Sequence, residues 1–221
     1  MLEIIRKIRN DLRLSMSGPI STSMRDKGVN YRMNFGVGIP RIIQISKKYE
    51  ANKELANALW SEDVRELKIL ATLLYPVDQY SRQSAGEWVL EIQDQELREQ
   101  LCKNLLQELK FANELVNEWS VSNDPKIRST GYWLFARICI TKSDLVSSIN
   151  IENLLSNAIV DLKNESILLR QSALNTFKFY GRLSVQNANF ILDRVASFEN
   201  SSDPVEKEMH VQLKFEFGMY D

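Results

Sequence analysis

Four carboxylates, Glu91, Asp94, Glu96 and Glu99, fall in one short stretch of the chain. Glu96 and Glu99 are three residues apart, a spacing that makes them neighbours on one helix face. Paired acids do acid/base chemistry when apolar or like-charged surroundings drive their pKa values apart. The same residues also read as the acid-rich first turn of a solvated helix, which the helix dipole favours. A Ser-His-Asp or Cys-His device would have to use His210, the only histidine, near the C-terminal end, and both devices are discounted. Cys102 and Cys139 lack the cationic or helix-start surroundings that lower a thiol pKa, so they read as packing residues. With one histidine and two distant cysteines a zinc site is short of ligands, and neither metal nor cofactor is expected. Phe35-Gly36-Val37-Gly38-Ile39-Pro40 has the glycines of a phosphate loop but no preceding strand and no Gly-Lys-Ser/Thr ending. It reads as a turn before a helix, or as flexible backbone leading into a helix N-terminus that, with Arg41, offers a place for a phosphate. Trp60, Trp88, Trp119 and Trp133 have the faces to stack on a base or cage a cation, yet each lies in an apolar helical stripe and reads first as core.

These side chains must be held by helices. Beyond residue 40 the apolar positions recur at a helical period almost throughout. The pattern predicts helices over 39–49, 53–60, 64–75, 80–92, 95–109, 112–121, 125–141, 151–162 (or from 145), 165–181 and 185–198. An amphipathic, basic first helix spans 1–16. Pro40 and Pro125 suit first helical turns, and Asp124 is an N-cap candidate. Short helices joined by tight links are the pattern of helix-pair solenoids, in which one pair leans on the next to bury its stripe; an irregular helical bundle is the alternative. The fold class expected is therefore all-α, a superhelical stack of antiparallel helix pairs of the HEAT/armadillo kind, in one domain over 1–221. Two segments resist. Residues 17–38 hold five Gly/Pro positions and read as a loop-rich insertion with one short helix around 21–27. Residues 209–221 form an undetermined tail: Val211, Leu213, Phe215 and Phe217 alternate as a strand would, but Asp203-Pro204 would start a helix reaching them.

At 221 residues, 44% hydrophobic and 26% charged, the chain can bury a sizeable core without cross-links. No run is long and apolar enough for a membrane span, so no membrane partner is expected, and a reduced cytoplasmic setting fits the cysteine usage. The net charge of −1 hides an asymmetry. Residues 1–50 carry 10 Lys+Arg against 4 Asp+Glu, a net of +6, which leaves 18 basic and 25 acidic residues for the rest. A basic N-terminal third can serve phosphate contact, or it can be a solvated face.

One order of motifs carries a resemblance. Asn34-Phe-Gly-Val-Gly-Ile-Pro-Arg-Ile-Ile-Gln-Ile-Ser-Lys-Lys-Tyr49 is followed by Glu54-Leu-Ala-Asn-Ala-Leu-Trp60 and then by Val64-Arg-Glu-Leu-Lys-Ile-Leu-Ala-Thr-Leu-Leu74. This succession resembles the DNA alkylation repair family, best over 30–90 and more loosely to about residue 200. The resemblance implies a superhelix of helix pairs with a concave, basic DNA side, and DNA as partner. It also implies a glycosylase activity that releases N3- or N7-alkylated purines. A carboxylate would stabilise the cationic base and the developing oxocarbenium sugar, and aromatic faces would hold the backbone. The family's Trp-Asp-x-x-Asp motif falls on Gln95-Glu96-Leu97-Arg98-Glu99, so the catalytic carboxylate implied is Glu96 and the aromatic is replaced by Gln95. The second site tryptophan falls near Ser172, and the phosphate-contacting arginine falls near Ser129, beside Arg128. Gln95, Glu99 and Ser172 thus mark former active-site positions, and Arg25, Lys27, Arg32, Arg41, Lys47, Lys48, Arg128 and Arg170 are the phosphate-contact candidates. Loss of both aromatic walls removes about 1–3 kcal/mol of stacking each. Lengthening Asp to Glu moves the carboxylate by about 1 Å, enough to cost on the order of a hundredfold in rate. The expectation is a DNA-binding module with weakened or lost base excision. An active glycosylase using Glu96 is the alternative, and a protein-binding scaffold is a further one.

Overall fold

The computed structural model describes residues 1–218. Among these the regular structure is helical, with one isolated parallel bridge between Met33 and Val64. Thirteen α-helices follow one another: α1 (Leu2–Arg13), α2 (Gly18–Asp26), α3 (Ile39–Ser46), α4 (Lys53–Trp60), α5 (Arg65–Leu74), α6 (Arg82–Glu91) and α7 (Gln95–Asn104), then α8 (Ala112–Trp119), α9 (Pro125–Ile140), α10 (Ile151–Asp161), α11 (Ile167–Gly181), α12 (Val185–Arg194) and α13 (Pro204–Glu216). None is long and apolar enough to cross a membrane.

Local chemistry sets the boundaries. Asn52, Ser81, Asp94, Asp124, Ser166 and Ser184 each accept a backbone N–H of the first turn that follows, and prolines stand in the first turns of α2, α3, α9 and α13. Such caps satisfy amides that would otherwise lose a partner and contribute about 1 kcal/mol each.

The chain clusters into two compact units, one over Met1–Leu109 and one from Lys110 onward. In the first, α5 is the central helix, packed against α3, α4 and α7 and buried on nearly every side. In the second, α9 and α11 form the centre, flanked by α8, α10 and α12. The α8–α9 crossing is close because Gly131 has no side chain: a Cβ there would lie 2.8 Å from the Ser120 amide nitrogen and 2.9 Å from Trp119. Cys102 and Cys139 are both buried, and burial pushes the Cys139 thiol up to about 12.

In two segments the structure sets what the sequence left open. The loop expected over 17–38 contains α2, which begins at Gly18 rather than near Ser21, because Ser17 caps the Ile20 amide and Pro19 fits the first turn. The strand alternation after residue 209 belongs to a helix. Glu206, Met209, His210 and Leu213 are buried at helical spacing, while Val211 and Phe215 point outward. The end of α13 brings Phe217 onto Gly181, where a Cβ would come within 2.2 Å of the ring. Residues 219–221 of the expected tail lie outside the described residues.

Candidate functional site

The Phe-Gly-Val turn and the Arg-Glu pair of α5 are one structure. Glu66 is fully buried, and its carboxylate accepts the amides of Phe35 at 3.0 Å and Val37 at 3.1 Å. Gly36 between them has φ +68°, and a Cβ at this position would lie 2.3 Å from the Ser17 carbonyl oxygen, so only glycine fits. Arg65, also buried, donates through Nη1 to Glu66 at 2.8 Å and to the Val37 carbonyl at 2.9 Å. Its remaining edge, Nε and Nη2, donates to the two oxygens of Glu96 at 2.6 and 2.8 Å. Burial alone would lower the Arg65 pKa, but the bonds and charges of Glu96 and Glu66 outweigh it and hold the guanidinium charged. Two of the loop's amides, those of Phe35 and Val37, are thus spent on Glu66. Arg41 is exposed but donates to Ser15 at 2.9 Å and to Gln44 at 3.1 Å.

The other residues at the start of α7 form a second layer. Asp94 caps Leu97 and accepts the buried Tyr31 hydroxyl. Gln95 donates to Glu99 at 3.0 Å and accepts from the buried Arg98 at 3.1 Å. Glu99 is half-buried; burial raises its carboxyl pKa, the Gln95 bond opposes the rise, and the charge of Glu96 adds to it. A carboxyl whose pKa is higher folded than unfolded stabilises the fold below its ordinary value, and that contribution disappears as pH rises through the folded value. Glu99→Gln is therefore expected to match the wild type at low pH and to be more stable above it. Urea midpoints collected from about pH 4 to pH 8 check this, and parallel curves for the two proteins would refute it.

Three of the four tryptophans, Trp60, Trp88 and Trp119, are consumed in packing. Trp60 and Trp88 stack at 3.9 Å with 5° between their planes, Tyr75 and Tyr80 meet Trp88 edge-on, and the Trp60 indole donates to Glu91 at 2.8 Å. Lys68 lies over Trp60 and donates to its carbonyl, at the edge of a cleft of about 240 Å³ that also includes Tyr31 and Asp63. Trp119 is buried, and the Trp133 indole N–H is buried without a partner among the described residues.

In the second unit Arg128 and Arg170 have partners within the protein. Arg128 donates from Nε and Nη2 to the buried Asp161 at 2.7 and 3.0 Å and from Nη1 to the Ser122 carbonyl at 2.6 Å. Tyr132 adds its hydroxyl to the same carboxylate at 2.7 Å. Ser129 and Ser172 are interior, and the Ser172 hydroxyl donates to the Leu168 carbonyl. Arg170 donates to the Asn164 carbonyl at 2.9 Å while lining a shallow cleft between α11 and α13.

The basic candidates of the N-terminal third separate by partner. Arg25, Lys27, Arg32 and Lys47 are exposed, and their side chains make no ion pair among the described residues, whereas Lys48 pairs with Asp11 at 3.0 Å. Sequence reasoning by site alignment passed over Arg6, Lys7 and Arg13, exposed on α1 and equally unpaired among the described residues. Their signal was present in the amphipathic period of the first helix, whose apolar residues Ile8 and Leu12 are buried.

Short helix pairs sharing their apolar stripes with the next helix define a helical-repeat protein. A solved structure described as "A new family of proteins related to the HEAT-like repeat DNA glycosylases with affinity for branched DNA structures" superposes with a TM-score of 0.80 at 16% identity, over 98% of each chain. A designed armadillo repeat protein gives a TM-score of 0.46 at 10% identity, over 96% of this chain and 98% of its own. No curated protein sequence matches. The chain belongs to the DNA alkylation repair enzyme family, whose sequence model matches residues 8–181.

Proposed function

We propose that this protein binds DNA through the basic surface of its N-terminal unit and has weakened or lost base excision. The observation that carries the second half is the state of Glu96. Both of its oxygens accept from one buried arginine, which also ties Glu66 and the turn at Val37. A carboxylate that stabilises an oxocarbenium sugar must face the sugar; this one anchors a loop. The interior position of Ser172 adds to the argument, since that position offers no wall for a deoxyribose. Binding is supported by family membership, by the unpaired exposed cations Arg25, Lys27, Arg32 and Lys47, and by the DNA affinity described for the structural neighbour, which makes branched DNA the first form to test.

A base-release assay on methylated DNA beside a salt-titrated binding assay on duplex, nicked and four-way DNA tests both halves. Expected are no 7-methylguanine release above background and an affinity that falls linearly on a log–log salt plot, by about 0.9 per phosphate contact on duplex. Flat, weak binding would remove the DNA reading, and base release would remove the loss of excision. If bases are released, Glu96 is the candidate carboxylate: its side chain is 34% exposed beside its bonds to Arg65, and Glu96→Gln would then abolish release.

A further inference from the structure

A groove of about 950 Å³ runs along α1 in the first unit, bordered by Leu2 and Ile5, by the basic residues of that helix, and by Tyr49. Its two carboxylates are already neutralised: Asp11 accepts from Lys48 at 3.0 Å and Tyr49 at 2.9 Å, and Glu62 pairs with Arg9 at 2.9 Å. The charge left over is that of Arg6, Lys7 and Arg13, which make no ion pair among the described residues. Arg6 and Arg13 are two helical turns apart, within about 20° of each other around the axis and roughly 10 Å along it, a span of several backbone phosphates. The groove also offers an aromatic ring and two aliphatic side chains, which phosphates have no use for and unpaired bases do.

We propose that this groove binds a single-stranded segment of DNA, with Arg6, Lys7 and Arg13 on its phosphates and Tyr49, Leu2 and Ile5 against its bases. The combination of a positive track with an aromatic platform is what sequence-tolerant single-strand binding requires. The proposal rests on the DNA-binding reading and adds a second contact to it. A membrane surface fits less well. An amphipathic helix enters a bilayer by its apolar face, and the Ile8 and Leu12 part of that face of α1 is spent on the core, leaving only its first turn, with Leu2 and Ile5, uncovered.

Fluorescence anisotropy with labelled oligothymidylate, duplex and a flapped duplex tests the proposal on the full chain. The combined Arg6→Ala, Lys7→Ala and Arg13→Ala protein is expected to bind oligothymidylate at least tenfold more weakly, with a log–log salt slope reduced by about 2, as three single-strand phosphate contacts require. Its duplex affinity should stay within about threefold of wild type, because the cations removed lie in the groove. Tyr49→Ala should cost about tenfold on oligothymidylate and Tyr49→Phe little, on the scale of base–aromatic contacts; thermal melts confirm that both are folded. Wild-type affinity and salt slope in the triple variant would overturn the groove while leaving duplex binding intact. Absence of binding to every DNA form by the wild type would instead remove the DNA reading on which it rests. Tighter binding of wild type to phosphatidylserine vesicles or to oligoglutamate than to oligothymidylate would also overturn it.

Discussion

Arg65→Ala is expected to destabilise the N-terminal unit by about 3–5 kcal/mol, the range found when one partner of a buried ion pair is removed. Arg65 is 1% exposed and serves two carboxylates and a carbonyl, so its loss leaves Glu66 charged, fully buried and held only by two amides. The anchor of the turn at Val37 goes with it. Removing Glu66 as well, in Arg65→Ala with Glu66→Ala, should cost clearly less than the sum of the two single losses, because much of each penalty comes from the uncompensated charge left behind. Urea denaturation of the single and double variants measures the coupling. Additive losses would mean that the two side chains act independently and that the turn is held by something else. The same series bears on function: if Glu96 exists to hold Arg65, Glu96→Gln should change stability and leave DNA affinity unchanged.

Asp161→Ala should also be damaging in the second unit, by about 1–3 kcal/mol, the cost of leaving a buried hydroxyl without its acceptor; Arg128, part-exposed, can turn to water. Asp161 is 4% exposed and is the shared acceptor for Arg128 and Tyr132. Without it the guanidinium keeps only the Ser122 carbonyl, and the Tyr132 hydroxyl loses its partner in the interior. The substitution also tests the role of Arg128. Engaged on both faces of its fork, that arginine has no donor pair left for a phosphate, so Arg128→Ala is expected to lower the melting temperature without altering the salt slope of DNA binding. A slope reduced by about 1 in Arg128→Ala would show that it leaves Asp161 for the DNA.

Most of the helices were legible in the chain. Their starts and stops depend on groups a few residues apart: Asn52 capping Leu55, Asp94 capping Leu97, Asp124 with Pro125. The tail after 209 carried both a strand alternation and a helix start at Asp203-Pro204, and its packing, with Met209, His210 and Leu213 inward, decides for the helix.

The site was legible as a set of motifs and illegible as a circuit. The order Phe-Gly-Val, Arg-Glu, then an acidic helix start could be read along the chain, but not that Glu66 receives the loop amides or that Arg65 closes on Glu96, 31 residues away. A charged pair placed in the otherwise apolar run of α5 was the available hint, since a buried ion is tolerated only with partners. Periodicity and capping are satisfied within a turn or two of helix, so the amino-acid order alone specifies the all-α class, the helix spans and the basic N-terminal third. Which carboxylate is an anchor and which remains half-open, and which arginine is spent and which is available, follow from pairings across 30 or more residues. Those pairings exist only once the helices have packed and removed water from around the charges.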